Sequence, residues 1–204
     1  MRWLPLLGFT VLAIALSLAD CRAHARHTAD DDALRLEVRR LKTKAGLQKA
    51  FLLRRGFNDG ICFLVDMRLP SGKNRFFVYD LHSDSILLAG IVAHGCGRRN
   101  FSPTPEFSNA EGSNCTALGR YRIGYPYKGQ FGLAYKLYGL DSTNDQAFNR
   151  NIVLHSYGAV PFEETYPTPI CNSLGCPMVS PRFLNNLQPL IDHSRKPVCL
   201  WIFN

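Results

Sequence analysis

From Gly60 to its C-terminus, the chain consists of short segments rich in Val, Ile, Phe and Tyr, separated by turn residues. Such segments are typical of β-strands, because branched and aromatic side chains pack well on a pleated surface. We predict strands at Ile61–Met67, Arg75–Leu81, Ile86–Ala93, Gly119–Gly124, Ala134–Leu140, Asn151–His155 and Val198–Phe203. The sequence therefore predicts a mainly β domain.

Helical periodicity is found in two regions that flank this β-rich part. Near the C-terminus, Ser180 can cap a helix and Pro181 suits its first turn. An apolar stripe follows at Phe183, Leu187, Leu190 and Ile191. Near the N-terminus, residues 32–55 also have helical spacing, and Gly46 is expected to divide them into two short helices.

The first 25 residues have the order of a secretory signal peptide. Arg2 precedes an uncharged apolar run from Trp3 to Ala19, and small residues suited to cleavage follow. A retained membrane anchor is the alternative, because the run is close to the shortest length that spans a bilayer. Cys21 stands where a lipoprotein carries its acylated cysteine, although Asp20 disfavours that processing. We expect export to the periplasm or cell envelope, with membrane contact only through this segment or a lipid anchor.

The 204 residues suffice for one globular domain. We assign 1–25 to the signal peptide, 26–58 to a linker and helical segment, and 59–204 to the β-rich main domain. The formal net charge is +8. Outside the cytoplasm a basic protein meets anionic membranes or polymers, so nucleic acid is not an expected partner. We interpret the basic stretch between Arg35 and Arg55 as the solvated face of a helix.

The chemically informative residues are His155, at the end of an apolar strand, and Cys176 in the segment Ser-Leu-Gly-Cys. A thiol nucleophile needs a base, N–H donors for the developing oxyanion and access to substrate. His155 can be the base, and the amides of Gly175 and Cys176 are candidate oxyanion donors because glycine permits close backbone approach. The pair predicts nucleophilic catalysis.

Other interpretations of these residues remain open. A single His or Cys is more often structural than catalytic, and Cys171, Cys176 and His155 also have spacing compatible with zinc. No motif supplies a fourth ligand, so we expect neither a metal nor a cofactor. Papain-like and NlpC-type cysteine peptidases place the Cys before the His, the reverse of the order here. A non-catalytic wall-binding module with structural cysteines is the remaining alternative.

The order of His155, then 15 to 20 residues, then Ser-x-Gly-Cys resembles the signature of YkuD-type L,D-transpeptidases. The resemblance covers about residues 60–204. Within the family, this part of the chain is similar to the murein L,D-transpeptidase subgroup of Bacteroidetes-like bacteria. Leu174 and Met178 depart from the better-studied members, which carry His and then Arg or Asn. Further matching segments are His94-Gly95, Phe107-Ser108-Asn109, Gly112-Ser113, Leu118-Gly119, Gly139-Leu140 and Arg150.

The resemblance implies a sandwich-like β fold with a flanking helix and an enzyme that acts on peptidoglycan stem peptides. In such an enzyme the thiolate is acylated by the third residue of a tetrapeptide stem, and the terminal D-Ala leaves. An amine of a second stem then forms a 3-3 cross-link, whereas water would give a carboxypeptidase. A backbone carbonyl near Ser156 is expected to orient His155. The candidate substrate-binding residues are Ser173, which also shapes the turn, Tyr157, Asn109, Ser113 and His94.

Seven cysteines in an exported chain suggest disulfides. We predict a Cys96–Cys115 bond that closes the long loop from His94 to Leu118. Cys62 and Cys199 lie in apolar strands, where a free cysteine behaves as a small hydrophobe. Cys171 is a candidate for a reversible bond with Cys176 under oxidation, since a nearby imidazolium would lower the pKa of the Cys176 thiol.

Overall fold

The computed structural model describes residue 32 and residues 34–204. The predicted signal peptide and Cys21 lie outside the described residues. The described chain divides between Thr43 and Lys44 into two units. The second unit contains strands β1 (Ile61–Asp66), β2 (Phe76–Asp80), β3 (Ser85–Gly90), β4 (Val92–Ala93), β5 (Gly119–Gly129), β6 (Gly132–Gly139), β7 (Val153–Ser156), β8 (Met178–Val179) and β9 (Cys199–Phe203).

Two α-helices and one short 3-10 helix accompany the strands. Helix α1 covers residues 34–55, α2 is Pro181–Asp192, and the 3-10 helix is Asp145–Ala147. The predicted division at Gly46 is wrong, because α1 continues through it. One glycine costs a helix only about 1 kcal/mol, which the Leu, Lys, Arg and Ala residues around it offset. Among the described residues, no helix is both long enough and apolar enough to cross a membrane.

All nine described strands belong to one sheet with the order β3-β2-β1-β9-β5-β6-β7-β8-β4. The pairs β1/β9 and β7/β8 are parallel, and the other pairs are antiparallel. This architecture confirms the predicted mainly β class with flanking helices. The predicted division at residue 59 stays a prediction.

The two edges of this sheet lie close together. Only Ile91 separates β3, at one edge, from β4, at the other. Arg75 links the edges, because its backbone N donates to Gly90 O and its guanidinium donates to Val92 O at 2.8 and 3.0 Å. The sheet therefore curls around its own core, as a sandwich-like fold requires, and the segment predicted as one strand, Ile86–Ala93, forms two.

Helix α2 lies against this core as the sequence predicts. Its N-cap Ser180 accepts a hydrogen bond from Phe183 N, and Pro181 is in the first turn. The Phe183 ring packs edge-on against Phe76 of β2, with 5.4 Å between centroids. The buried residues of the helix are Phe183, Leu184, Leu187 and Ile191. Burial of this stripe attaches the helix to the sheet.

Two features of the sheet near the cavity described below were not predicted. Strand β5 continues to Gly129 with a register irregularity between Ile123 and Pro126, so it forms a long hairpin with β6. The short strand β8 precedes α2. The proline concealed the first feature because proline normally ends strand pairing, and a two-residue strand has no detectable periodicity.

Candidate active site

The parallel pairing of β7 and β8 brings the two predicted catalytic residues to one face of the sheet. His155 pairs with Met178, so Cys176, two residues earlier, lies level with Val153. Because side chains alternate along a strand, Val153, His155 and Tyr157 point to one side. These three line a cavity together with Cys176 and Met178.

This cavity has a volume of about 570 Å³. Its other lining residues are Tyr127, Gly129, Gln130, Phe131, Ala134, Asn151, Asn172, Ser173 and Leu174. No Lys, Arg, Asp or Glu is among these described lining residues. The cavity walls are therefore aromatic and apolar, with a few neutral polar groups.

The His155 ring is held in one orientation at the cavity wall. Its Nδ1 lies 3.0 Å from Ser156 O, and since a carbonyl only accepts, Nδ1 carries the proton. The lone pair is then on Nε2. The ring is only 6% exposed, and burial lowers the pKa of His155. A neutral imidazole with an available lone pair can accept a proton at neutral pH.

The Cys176 thiol contacts the strand that carries His155. Its Sγ accepts a hydrogen bond from Val153 N at 3.5 Å and lies 3.9 Å from Asn151 O. Burial raises the pKa of Cys176, while the Val153 N–H and the charges of Lys136 and Arg150 lower it. The net shift is upward, so the predicted low thiol pKa is wrong. The reason is that His155 is buried and neutral too and supplies no positive charge.

The turn before Cys176 is shaped by Ser173 and Gly175. Ser173 Oγ accepts from Gly175 N at 3.1 Å and donates to Cys176 O at 2.6 Å. Gly175 has φ +113°, and a Cβ there would lie 2.8 Å from Cys115 O, so a side chain is excluded. The Gly175 N–H is already bonded to Ser173 in this conformation, and its role as an oxyanion donor stays a prediction.

A sequence model of the L,D-transpeptidase catalytic domain matches residues 34–203. The chain belongs to this family. No curated protein matches the sequence.

Several solved structures resemble this L,D-transpeptidase domain at low identity. The avibactam carbamoyl enzyme of Ldtfm is 12% identical with a TM-score of 0.44, over 72% of this chain and 50% of that one. An L,D-transpeptidase from Mycobacterium smegmatis is 10% identical with a TM-score of 0.41, over 71% and 59%. The helical cell shape determining protein Pgp2 from Campylobacter jejuni is 14% identical with a TM-score of 0.43, over 70% and 46%. The chain thus spans about half the length of these proteins.

The L,D-transpeptidase domain places only some of the predicted substrate-binding residues at the cavity. Tyr157 and Ser173 line it. Asn109 does not line the cavity. Its side chain donates to Asp145 Oδ1 at 2.7 Å instead. Ser113 lies in the long loop and accepts from Arg150 Nη2 at 3.3 Å. Sequence likeness grouped these two with the site, but the loop carries them to a neighbouring surface.

His94 is also separated from the cavity, because it is fully buried. Its Nδ1 accepts from Arg75 Nη2 at 2.8 Å, and Nε2 lies 3.1 Å from Ser102 O. Burial and the charge of Arg75 lower the pKa of His94 to about 4. The residue has no exposed surface in this structure, and its role in substrate binding stays a prediction. Its backbone carbonyl instead accepts from Ser173 N at 2.9 Å, which supports the turn before Cys176.

Arg150 has a structural role near the site that was not predicted. Its guanidinium donates to Ser108 O at 2.9 Å and to Cys115 O at 2.6 Å, so it anchors the long loop. The same group would lie 3.2 Å from a Cβ at Gly175. Sequence likeness marked Arg150, but its partners are loop carbonyls, which carry no sequence signal.

The six described cysteines are free thiols. The predicted Cys96–Cys115 disulfide is therefore not formed. The two segments do pair, since Gly97 N donates to Asn114 O at 3.2 Å, but the Cys96 and Cys115 thiols contact different carbonyls, Gly97 O and Ser113 O. The predicted burial of Cys62 and Cys199 is confirmed.

The remaining cysteine, Cys171, does not line the cavity. It packs against a small apolar cluster that includes Ile170 and Met178. The proposed reversible bond between Cys171 and Cys176 stays a prediction. In the part of the chain that the structure describes, no three His, Cys, Asp or Glu side chains form a cluster that could hold a metal ion.

Proposed function

We propose that this L,D-transpeptidase domain transfers an acyl group from a peptidoglycan tetrapeptide stem through a thioester at Cys176. The observation that carries the proposal is the shared cavity. It holds one imidazole on β7 and one thiol in the turn that leads into the parallel strand β8, and the imidazole is oriented by Ser156 O with Nε2 unprotonated. A base and a nucleophile in one accessible cavity are the minimum requirement for covalent catalysis.

The first half-reaction follows from the two neutral groups. Nε2 of His155 accepts the thiol proton while Sγ of Cys176 attacks the carbonyl carbon of the third stem residue. The tetrahedral intermediate carries a negative oxygen, and the Cys176 backbone N–H is a candidate donor to it. When the intermediate collapses, the bond to the terminal D-Ala breaks and the imidazolium returns the proton to its amine. A thioester and free D-Ala result.

The second half-reaction uses His155 in the same way. The side-chain amine of a second stem attacks the thioester, the imidazole takes its proton, and the Cys176 thiolate leaves and is reprotonated. The product is a 3-3 cross-link. If water attacks instead, the product is a shortened stem and the domain is an L,D-carboxypeptidase.

The composition of the cavity and of the whole chain supports this substrate class. The aromatic and apolar walls exclude water from the reacting carbonyl, which strengthens the interactions that stabilise its negative charge. The net charge of +8 attracts an anionic polymer such as the cell wall. The site of action is then the periplasm or cell envelope, reached through the N-terminal export signal.

Product analysis tests the proposal. The purified chain is incubated with a disaccharide-tetrapeptide, alone and with a second stem that lacks the terminal D-Ala and serves only as acceptor. Mass spectrometry should detect loss of D-Ala and a cross-linked dimer that depends on Cys176. Intact D-Ala in every reaction would refute the proposed function. Release of D-Ala without any dimer would refute acyl transfer to an amine and would mean that water hydrolyses the thioester instead.

A further inference from the structure

Phe131 occupies an unusual position for an apolar ring, the tip of the β5–β6 hairpin. Gly129 and Gly132 pair there, so Gln130 and Phe131 form a two-residue turn. Such turns favour Gly, Asn and Asp, and a phenylalanine contributes nothing to the turn itself. The ring is 50% exposed. Its presence needs an explanation outside the hairpin.

The explanation lies in what the ring contacts. Phe131 stacks on the His155 imidazole with 5.3 Å between centroids and 19° between planes. Its edge also meets Tyr157, at 5.5 Å and 76°. Ala134 of β6 pairs with His155 of β7, so the hairpin continues past His155 and returns its tip over the imidazole. One face of the imidazole is thereby covered.

We infer that Phe131 is a positioning residue for the proposed base, holding the plane of the His155 ring and excluding water from it. This inference rests on the proposed function. The Ser156 carbonyl fixes one ring nitrogen but leaves the imidazole free to swing about that contact. A parallel aromatic plane removes this freedom and keeps Nε2 in the cavity.

The other groups around His155 do not by themselves keep its imidazole neutral. Cys176 in the turn before β8, Tyr157 directly after β7 and Tyr127 of β5 line the cavity with it. Lys136 of β6 and the Arg150 guanidinium act on the Cys176 thiol. No carboxylate lines the described cavity, so no negative charge favours an imidazolium. Cover by Phe131 therefore keeps the base neutral by limiting its hydration.

A matched control lies directly after the 3-10 helix. Phe148 is 52% exposed and stacks on Tyr138 with 5.4 Å between centroids and 18° between planes. It has the same exposure and the same stacked geometry as Phe131, but it does not line the cavity. Removal of either ring takes away one stacked pair of rings.

The test measures the His155 pKa by NMR titration of ring-labelled protein and, separately, the pH profile of kcat/KM. Phe131→Ala should raise the pKa of His155 towards its ordinary value and move the acid limb of the profile upward by the same amount. It should lower kcat about 10-fold with little change in KM, because the base is no longer held in place. Phe131→Tyr should restore both values, and Phe148→Ala should leave them unchanged.

The outcomes separate the two proposals. If wild type is active and Phe131→Ala behaves like Phe148→Ala in both measurements, the inference is overturned. If Phe131→Ala lowers kcat without moving the His155 pKa, Phe131 does not act by excluding water from His155, and that part of the inference is overturned. If Phe131→Ala moves the pKa but wild type leaves stem peptides intact, the proposed function fails while the pairing of the two rings stands.

Discussion

His155 and His94 are two buried histidines of one sheet with opposite surroundings. His155 has one ring nitrogen bonded to Ser156 O, and the residue lines a cavity. His94 has both nitrogens occupied, by Arg75 and Ser102 O, and no exposed surface. Burial lowers the pKa of both. A place in the cavity lining, rather than a shifted pKa, therefore distinguishes the candidate base His155 from His94.

The two histidines are nevertheless connected through the turn that carries Cys176. The backbone of His94 accepts from Ser173 N, and Gly95 forms a bridge with Ser173. Ser173 in turn holds Gly175 N and Cys176 O. We therefore expect His155 to affect chemistry alone and His94 to affect stability first.

The largest effect is expected from removal of the proposed catalytic pair. Cys176→Ala and His155→Ala should each lower kcat/KM by about 10³-fold or more, and the double variant should lose no more, because the two residues act as one unit. Steady-state assays on tetrapeptide stems measure this. Cys171→Ala is the control, since Cys171 does not line the cavity. Near-normal turnover in either single variant would show that residue to be misassigned.

His94→Ala should be the most destabilising of the histidine variants. It leaves Arg75 without its ring partner, removes the bond to Ser102 O and opens a cavity, so we expect a loss of about 2–4 kcal/mol in the free energy of unfolding. Urea denaturation measures it. His82→Ala, at an exposed turn, is the matched control. Equal stability of the two variants would remove the distinction drawn between His94 and a surface histidine.

Arg150→Lys should have a moderate effect on activity. Lysine keeps the positive charge but cannot donate to Ser108 O and Cys115 O with the same planar geometry. We expect kcat/KM to fall about 10-fold through loosening of the turn at Gly175. Arg150→Met also removes the charge, so it should raise the pKa of Cys176 further and slow its alkylation by iodoacetamide. If the Met variant is alkylated at the wild-type rate, this charge does not act on the thiol.

The last prediction is the pH dependence of stability from His94. Its folded pKa, about 4, lies below the ordinary value of 6.5, so the unfolded chain takes up a proton first as pH falls. Stability should therefore decrease between pH 6.5 and 4 and stop depending on this group below that range. Unfolding curves of wild type and His94→Ala across this interval measure the difference. If the free energy of unfolding depends on pH in the same way in both proteins, His94 is not the source of that dependence.

Much of this fold could be predicted, because the strand segments, the Ser180 cap and the stripe of α2 depend on local pattern. Motif order also led to Cys176 and His155, which line one cavity. Arg75 and Phe131 could not be found in this way. The role of Arg75 depends on two sheet edges that meet in the folded chain, and the role of Phe131 depends on how far the β5–β6 hairpin extends. Both are features of tertiary structure, which a local sequence pattern does not encode. His94 is fully buried, and the motif that contains it does not reveal whether its ring or its backbone supports the turn before Cys176.

Intact-mass spectrometry of the protein during turnover tests the central claim most directly. A short incubation with tetrapeptide stem, followed by acid quench and peptide mapping, should find a stem acyl group, without its terminal D-Ala, on Cys176. The adduct should accumulate more when no amine acceptor is present and be absent from Cys176→Ala. An adduct on another cysteine, or release of D-Ala by the Cys176→Ala variant, would contradict the account.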